Sequence, residues 1–473
     1  MSRSSLIRFM CLLVVLSALP GIGSAADMPS PGQRPVVPET GVLTLEEAKR
    51  IAVEGNPDLF AAFERLRQAE ERVRQARAAY WPTLDASASG ARVDLSDSAL
   101  ETQSRAFRAF NADAAIANPE DVYQADLTAG WMLFTGFRRW YENARARFGE
   151  MESRSAIDEA RRFLLFSVAR SYYQAQLARE DIAIARADQA FNLRQAEEAR
   201  ARRRAGTGAL SDVLNFEIQV NAARSALNDA QRAYAVARIT LASVMGIPDA
   251  GLPDSVELTD LPTETPVVMT TPEPEALMDY AERFRPDLLE STFRVKQAEA
   301  GIGVAQSEYY PNLTLQATAD GYRENSARFA RDDFGSSIGL FMNYNLFSGG
   351  STRARVAEAR YLKREAERAY DAARIAVFSE VREAVEDVLS SQKELRLQRE
   401  NEALVQRNRD LVEKGYAAGQ ESLVRLNEAQ RNLTQAQARL ALSRVALRLA
   451  WERLDAATAG NLAVSAPETS AAP

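Results

Sequence analysis

Residues 57–84 read PDLFAAFERLRQAEERVRQARAAYWPTL, and residues 286–313 read PDLLESTFRVKQAEAGIGVAQSEYYPNL. The two align without a gap. Both open on Pro-Asp-Leu and carry Gln-Ala-Glu in the middle (Gln68–Glu70, Gln297–Glu299). Both close on two aromatics and a proline, Tyr80-Trp81-Pro82 and Tyr309-Tyr310-Pro311. A match of this length marks an internal duplication. Within each copy the apolar positions alternate by 3 and 4: Leu59, Ala62, Leu66, Ala69, Val73, Ala76 and Tyr80, then Leu288, Ser291, Val295, Ala298, Ile302, Ala305 and Tyr309. That is the seam of a coiled coil with small residues that allow close approach. After each proline the period drops to 2, so each copy predicts a helix that ends at a proline and becomes a strand.

Outward from this stretch the two halves keep matching. In the second half Leu313, Leu315, Ala317 and Ala319 alternate with Thr314, Gln316, Thr318 and Asp320, and Ile338, Leu340 and Met342 alternate with Ser337, Gly339 and Phe341. The first half offers Leu84, Ala86 and Ala88, then Leu127, Ala129 and Trp131. Each half therefore predicts a β-hairpin with one apolar and one polar face, over 83–135 and 312–347. The hairpins end alike, on Leu133-Phe134-Thr135-Gly136 and Leu346-Phe347-Ser348-Gly349. Long helices are expected over 138–205 and 351–414, each roughly 100 Å at 1.5 Å per residue. They stop at glycines (Gly206 and Gly208; Gly415 and Gly419), with Arg202–Arg204 or Lys414 in the last turn, where cations suit the helix dipole. Return helices follow over 211–246 and 420–458. Each is about half the long helix, and the first helix (44–80) covers the other half. The first repeat thus spans 41–246 and the second 273–458. A proline-rich loop over 247–272 links them, and a disordered tail is expected over 459–473. Thr44-Leu45-Glu46-Glu47 is a capping box.

The N-terminus reads as a secretory signal over 1–25: Arg3 and Arg8, an apolar run from Met10 to Leu19, and Gly23-Ser24-Ala25 as cleavage site. Residues 26–40 read as an extended linker. The single cysteine, Cys11, lies inside the signal, and there is no histidine. Disulfides, thiol nucleophiles, imidazole bases and the usual zinc ligands are thereby excluded from the mature chain, and no cofactor is expected. A net charge of −7 argues against nucleic acid, despite the run Arg202–Arg204.

The strands pose a closure problem. Four strands do not close a barrel, since single-chain outer-membrane barrels start at eight. Lipid does not tolerate open strand edges. The hairpins must then close against those of other copies: two chains would give eight strands, three would give twelve.

The paired blocks, the LFTG and LFSGG hairpin ends and the glycine-bounded tips together resemble the TolC-type outer-membrane efflux duct family, over about 41–458. The resemblance implies a mixed α and β membrane protein: a homotrimer with a twelve-stranded β-barrel in the outer membrane of a Gram-negative bacterium and an α-helical barrel in the periplasm. It implies a passive exit duct, not an enzyme, for efflux or type I secretion. The implied partners are outer-membrane lipid, a periplasmic adaptor and an inner-membrane pump of RND, ABC or MFS type. It places an entrance gate at the tips. Tyr416 and Asp212 match the family's tyrosine and aspartate. Glu421 stands where the family has an arginine and would repel Asp212. Arg425 and Glu428 stand where it has aspartates; Arg425 has either Glu421 or Asp212 as a partner. Adaptor docking falls on Gly206, Thr207, Gly208, Ala209 and Leu210, and on Gly415, Ala417, Ala418, Gly419 and Gln420. Tyr80, Trp81, Tyr309 and Tyr310 fall at the membrane interface. The alternative is a structural or adaptor-like periplasmic coiled-coil protein without a pore.

Overall fold

The computed structural model describes residues 41–108, 118–261 and 269–464. The expected signal and linker, and residues 465–473 of the tail, lie outside the described residues. In chain order the elements are β1 (Gly41–Leu43), α1 (Leu45–Gly55), α2 (Pro57–Ala78), β2 (Thr83–Val93), α3 (Asp97–Arg108), β3 (Glu120–Thr135), α4 (Arg138–Arg204), α5 (Leu210–Val244), β4 (Val256–Leu258), α6 (Pro274–Phe284), α7 (Pro286–Gln306), β5 (Asn312–Glu324), β6 (Phe334–Asn343), α8 (Ser351–Ala417), α9 (Leu423–Thr458) and α10 (Gly460–Val464). The two long helices have 67 residues each. No helix among the described residues is long and apolar enough to cross a membrane.

The helices pack in a layer around α4. Near the strands the order is α2, α4, α7, α8; toward the tips it is α5, α4, α9, α8. One flank of the layer is thus α2 and α5, the other α8. The helices α2 and α5 meet end to end along α4 at Asn56. Its Oδ1 accepts from the Asp58 and Leu59 amides at 2.9 and 3.2 Å, and its Nδ2 donates to the Val244 carbonyl at 2.9 Å. One side chain therefore caps the start of one helix and the end of the other. In the second half Arg285 takes this place before its proline, and its Nη1 donates to the Ala457 carbonyl of α9 at 2.7 Å.

A collar of buried side chains surrounds this level. Leu43, Ile51, Val168, Tyr172, Leu241, Met245 and Val256 form the largest apolar cluster. Beside it Arg162, 1% exposed, pairs with Glu159 at 2.7 Å and donates to the Ala456 carbonyl at 2.7 Å. Arg285 pairs with Asp287 at 2.8 Å and with Glu380 at 2.7 Å. Two arginines thus hold the C-terminal carbonyls of α9, where the helix dipole favours cations.

Several expectations are corrected here. The loop 247–272 contains β4, which pairs in parallel with β1. The first hairpin carries a helix, α3, between its strands. The second hairpin's last strand ends at Asn343, not at 347. Residues 459–464 are not disordered: Ala459 takes a left-handed conformation and α10 follows, its Asn461 donating to the Arg162 carbonyl at 3.0 Å. That buried bond holds a segment whose Ala/Ser/Pro-rich composition reads as tail. Of the capping box, the Thr44 hydroxyl accepts from the Glu47 amide at 3.2 Å, while the Glu47 carboxylate faces Arg50. In α2 the seam Leu59 to Val73 is buried, but in α7 the buried positions are Pro286, Leu288, Ser291, Ala300 and Gly303. The stripe shifts because α7 packs between α4 and α8, whereas α2 packs against α4 alone among the major contacts.

Candidate functional site

Strands β2, β3, β5 and β6 form one antiparallel sheet in that order. The register is what matters for function. Leu84 and Ala86 of β2 oppose Ala129 and Leu127 of β3; Leu127, Ala129 and Trp131 oppose Ala319, Ala317 and Leu315 of β5; Leu313, Leu315 and Ala317 oppose Met342, Leu340 and Ile338 of β6. Directly opposed residues share a face, so the apolar sets of both hairpins merge into one continuous apolar face. Ile338 is 75% exposed on it and Met342 69%. The other face carries Asp85, Ser87, Gln124, Asp126, Thr128, Gln316, Thr318, Asp320 and Ser337, with Met132 and Phe341 toward its helix end. The strands hold 10 to 16 residues, enough to cross a bilayer when tilted. Among the described residues, the outer edges of β2 and β6 have no strand partner.

At the junction of sheet and helices, Arg139 holds the parts together. Its guanidinium donates to the Ala79 carbonyl at the end of α2 (3.2 Å) and to the Leu133 carbonyl at a β-bulge (2.8 Å), and lies 5.0 Å over the Tyr80 ring. Gly136 has φ +61°, and a Cβ there would meet the Ser307 carbonyl at 2.3 Å. Phe137 stands edge-on to Phe134 and Tyr310. Tyr80, Trp81, Tyr309 and Tyr310 are all exposed, as are Trp140 and Phe347.

The tips lie at the other end. Both turns close alike: the Arg202 carbonyl accepts from the Thr207 and Gly208 amides, and the Gly415 carbonyl from the Gln420 and Glu421 amides. Gly206 (φ +79°) and Gly419 (φ +75°) take the left-handed conformation that ends each helix. The helix α8 runs through Gly415 and Tyr416 to Ala417, so Gly415 is not a loop residue, and Leu210 is the first residue of α5. Four helix ends meet in an apolar cluster built from Phe191, Ala196 and Ala199 of α4, Val213, Phe216 and Val220 of α5, Val412 of α8, and Leu426 and Ala429 of α9. Tyr416 caps it, edge-on to Phe216 at 6.2 Å, with the Arg202 guanidinium 5.1 Å over its ring. Burial and, secondarily, the Asp212 carboxylate push the Tyr416 phenol up, and Arg202 opposes them.

The outer membrane efflux protein family model matches residues 50–247 and 277–460. The chain belongs to that family. Among its relatives are the pyoverdine export outer membrane protein OpmQ of Pseudomonas aeruginosa, 28% identical over 84% of this chain and 81% of that one, and the outer membrane protein TolC of Vibrio cholerae, 24% identical over 86% and 90%. The outer membrane protein VceC of Vibrio cholerae has a similar fold, with a TM-score of 0.70 at 18% identity over 88% of this chain and 95% of that one.

As an outer membrane efflux protein, the chain lies in the outer membrane with a large helical portion in the periplasm. Its expected gate residues are only partly assembled. Asp212 lies near Tyr416. Arg425 pairs with Glu421 at 3.5 Å, not with Asp212. The Glu421 stem folds back over Gly415, where an added Cβ would meet it at 2.7 Å. Glu428 is exposed on α9. The functional candidates missed from sequence are Arg202 and Arg139. Arg202 sits in a run that dipole chemistry alone explains, and nothing local to it points to a tyrosine on the other tip.

Proposed function

We propose that three copies of this chain form a passive exit duct. Each copy contributes four strands to a twelve-stranded barrel in the outer membrane and its helical layer to a tube in the periplasm. The observation that carries this reading is the sheet: one apolar face, one polar face and two open edges. Because β2 and β6 run in opposite directions, β6 of one copy can pair antiparallel with β2 of the next, a head-to-tail contact that closes into a ring. Two copies would give eight strands, a barrel filled by its own side chains; three leave a lumen lined by the polar face.

The helical flanks fit the same arrangement. Leu397, Leu404 and Leu411 recur every seven residues on α8 and are exposed, as are Leu210, Leu214 and Ile218 on α5. Packing the first set of one copy on the second set of its neighbour buries both. Asp212, Tyr416, Glu421, Arg425 and Glu428 then surround the periplasmic entrance. The tips at Gly206–Leu210 and Gly415–Gln420 receive a periplasmic adaptor, which joins the duct to an inner-membrane pump of RND, ABC or MFS type. Tyr80, Trp81, Tyr309 and Tyr310 sit at the inner edge of the membrane. The relatives named for pyoverdine export and for toluene efflux support a small-molecule cargo; the protein CyaE of Bordetella pertussis is a relative too. Purified protein in planar bilayers tests the proposal: discrete pores from detergent-stable trimers are expected. A monomer without conductance would overturn it in favour of a poreless coiled-coil protein.

A further inference from the structure

We infer that the two tips of this chain are clasped by Arg202 and Tyr416, a cation on a ring, rather than by a hydroxyl-to-carboxylate bond. The inference rests on the reading of the tips as the periplasmic entrance. The tips lie at the free end of helices of 67 residues, far from the collar and the sheet. What joins the α4–α5 pair to the α8–α9 pair there is limited in kind. There is the apolar cluster around Phe216 and Leu426. There are polar contacts, Asn427 to Asn215 at 2.7 Å, Gln195 to Glu413 at 3.4 Å, and Gln430 and Thr434 to Asp188 at 2.8 and 3.2 Å. And there are two guanidinium-on-ring contacts, Arg202 over Tyr416 at 5.1 Å and Arg409 over Phe191 at 5.6 Å. The first is the one nearest the turns and the one through which α8's last turn meets α4's last turn.

The ion pairs nearest the turns stay within one helix pair: Arg200 with Glu217 at 2.8 Å, Arg202 with Glu198 at 4.0 Å and Arg425 with Glu421 at 3.5 Å. Glu421 is occupied by Arg425 and folded over Gly415. Asp212 sits in the first turn of α5, where the helix N-terminus favours a carboxylate, and accepts from Ser211 Oγ at 3.4 Å. A half-buried ring between Phe216 and a guanidinium presents its face to the cation, the arrangement that gives such contacts their attraction. The ring, not the hydroxyl, is the part of Tyr416 that holds. Separating the tips would withdraw the ring from both Phe216 and Arg202 at once.

The test is conductance of the reconstituted protein, with a cross-link as control. Residues 27–473 contain no cysteine, so Asn215→Cys with Asn427→Cys, whose parent side chains touch, gives a lock that reductant releases. Tyr416→Phe is expected to conduct like the parent protein. Tyr416→Ala and Arg202→Ala are expected to raise conductance by about two-fold or more, and together no further than either alone. Oxidation of the cysteine pair in the Tyr416→Ala background should return conductance to the parent level, which also shows that the variant is folded. Two results overturn the clasp while leaving the entrance reading intact: Arg202→Ala conducting like the parent while the lock still controls conductance, or Tyr416→Phe and Asp212→Asn both opening the pore as far as Tyr416→Ala. A lock without effect on conductance would overturn the entrance reading itself.

Discussion

Arg285 is a positive charge placed where the chain has almost no water. It is 3% exposed and satisfied by Asp287, Glu380 and the Ala457 carbonyl of α9. Removing one partner of such a network leaves the others buried and uncompensated. We expect Arg285→Ala to cost about 3–5 kcal/mol, read as a lower denaturant midpoint in detergent. Glu290 is strained in the opposite sense. Burial pushes its carboxyl up to about 7, Arg294 pulling it down and Glu159, Glu152 and Asp287 adding repulsion. In the unfolded chain the same group titrates near 4.3. Between these values the folded protein holds a proton that the unfolded chain has lost. Stability therefore falls as pH rises through this window, and the full cost is present above pH 7. Glu290→Gln should raise the unfolding midpoint above pH 7, by an amount of the order of 1–3 kcal/mol, and change little near pH 4. An equal gain at both pH values would show that charge is not the cause.

At the scale of elements, the long helices are continuous because α4 and α8 contain no proline, and their packing partners change along their length. The exchange point is Asn56, which caps α2 and holds the end of α5. Asn56→Ala removes both functions and should lower stability by about 1–2 kcal/mol in thermal melts followed by helical circular dichroism. Asn56→Asp keeps the acceptor and loses the donor, so a smaller loss is expected. A helix break was legible in Gly55-Asn56-Pro57, but not that Asn56 caps the helix after it. Nor was the tie to Val244, because it joins residues far apart in sequence.

At the scale of the whole molecule, a layer with two apolar flanks and a sheet with two open edges is incomplete alone. Leu404 is 65% exposed in the middle of the α8 ladder. If the proposed trimer is held by this ladder, Leu404→Glu should leave helical content unchanged and shift trimers toward monomers in light scattering of the detergent-solubilised protein. Trimers that persist would place the contact between copies elsewhere. The clasp at the tips belongs to the same scale, since it sets how two rigid helix pairs meet.

The sequence by itself determined the periods: 3.5 before Pro82 and Pro311, and 2 after them. It thereby determined where helix becomes strand, which strand face is apolar, and Gly206 and Gly419 as the left-handed glycines that end the long helices, because each depends on residues a few positions apart. Only the tertiary structure decided which partners meet. It set the pairing of β3 with β5 that joins two apolar faces into one, the strand β4 inside a proline-rich loop, and Asn461 buried beneath Arg162. It also placed Arg202 over Tyr416 and turned Arg425 toward Glu421. These choices rest on contacts between segments distant in the chain, where many residues of the same chemistry would serve and packing alone selects one.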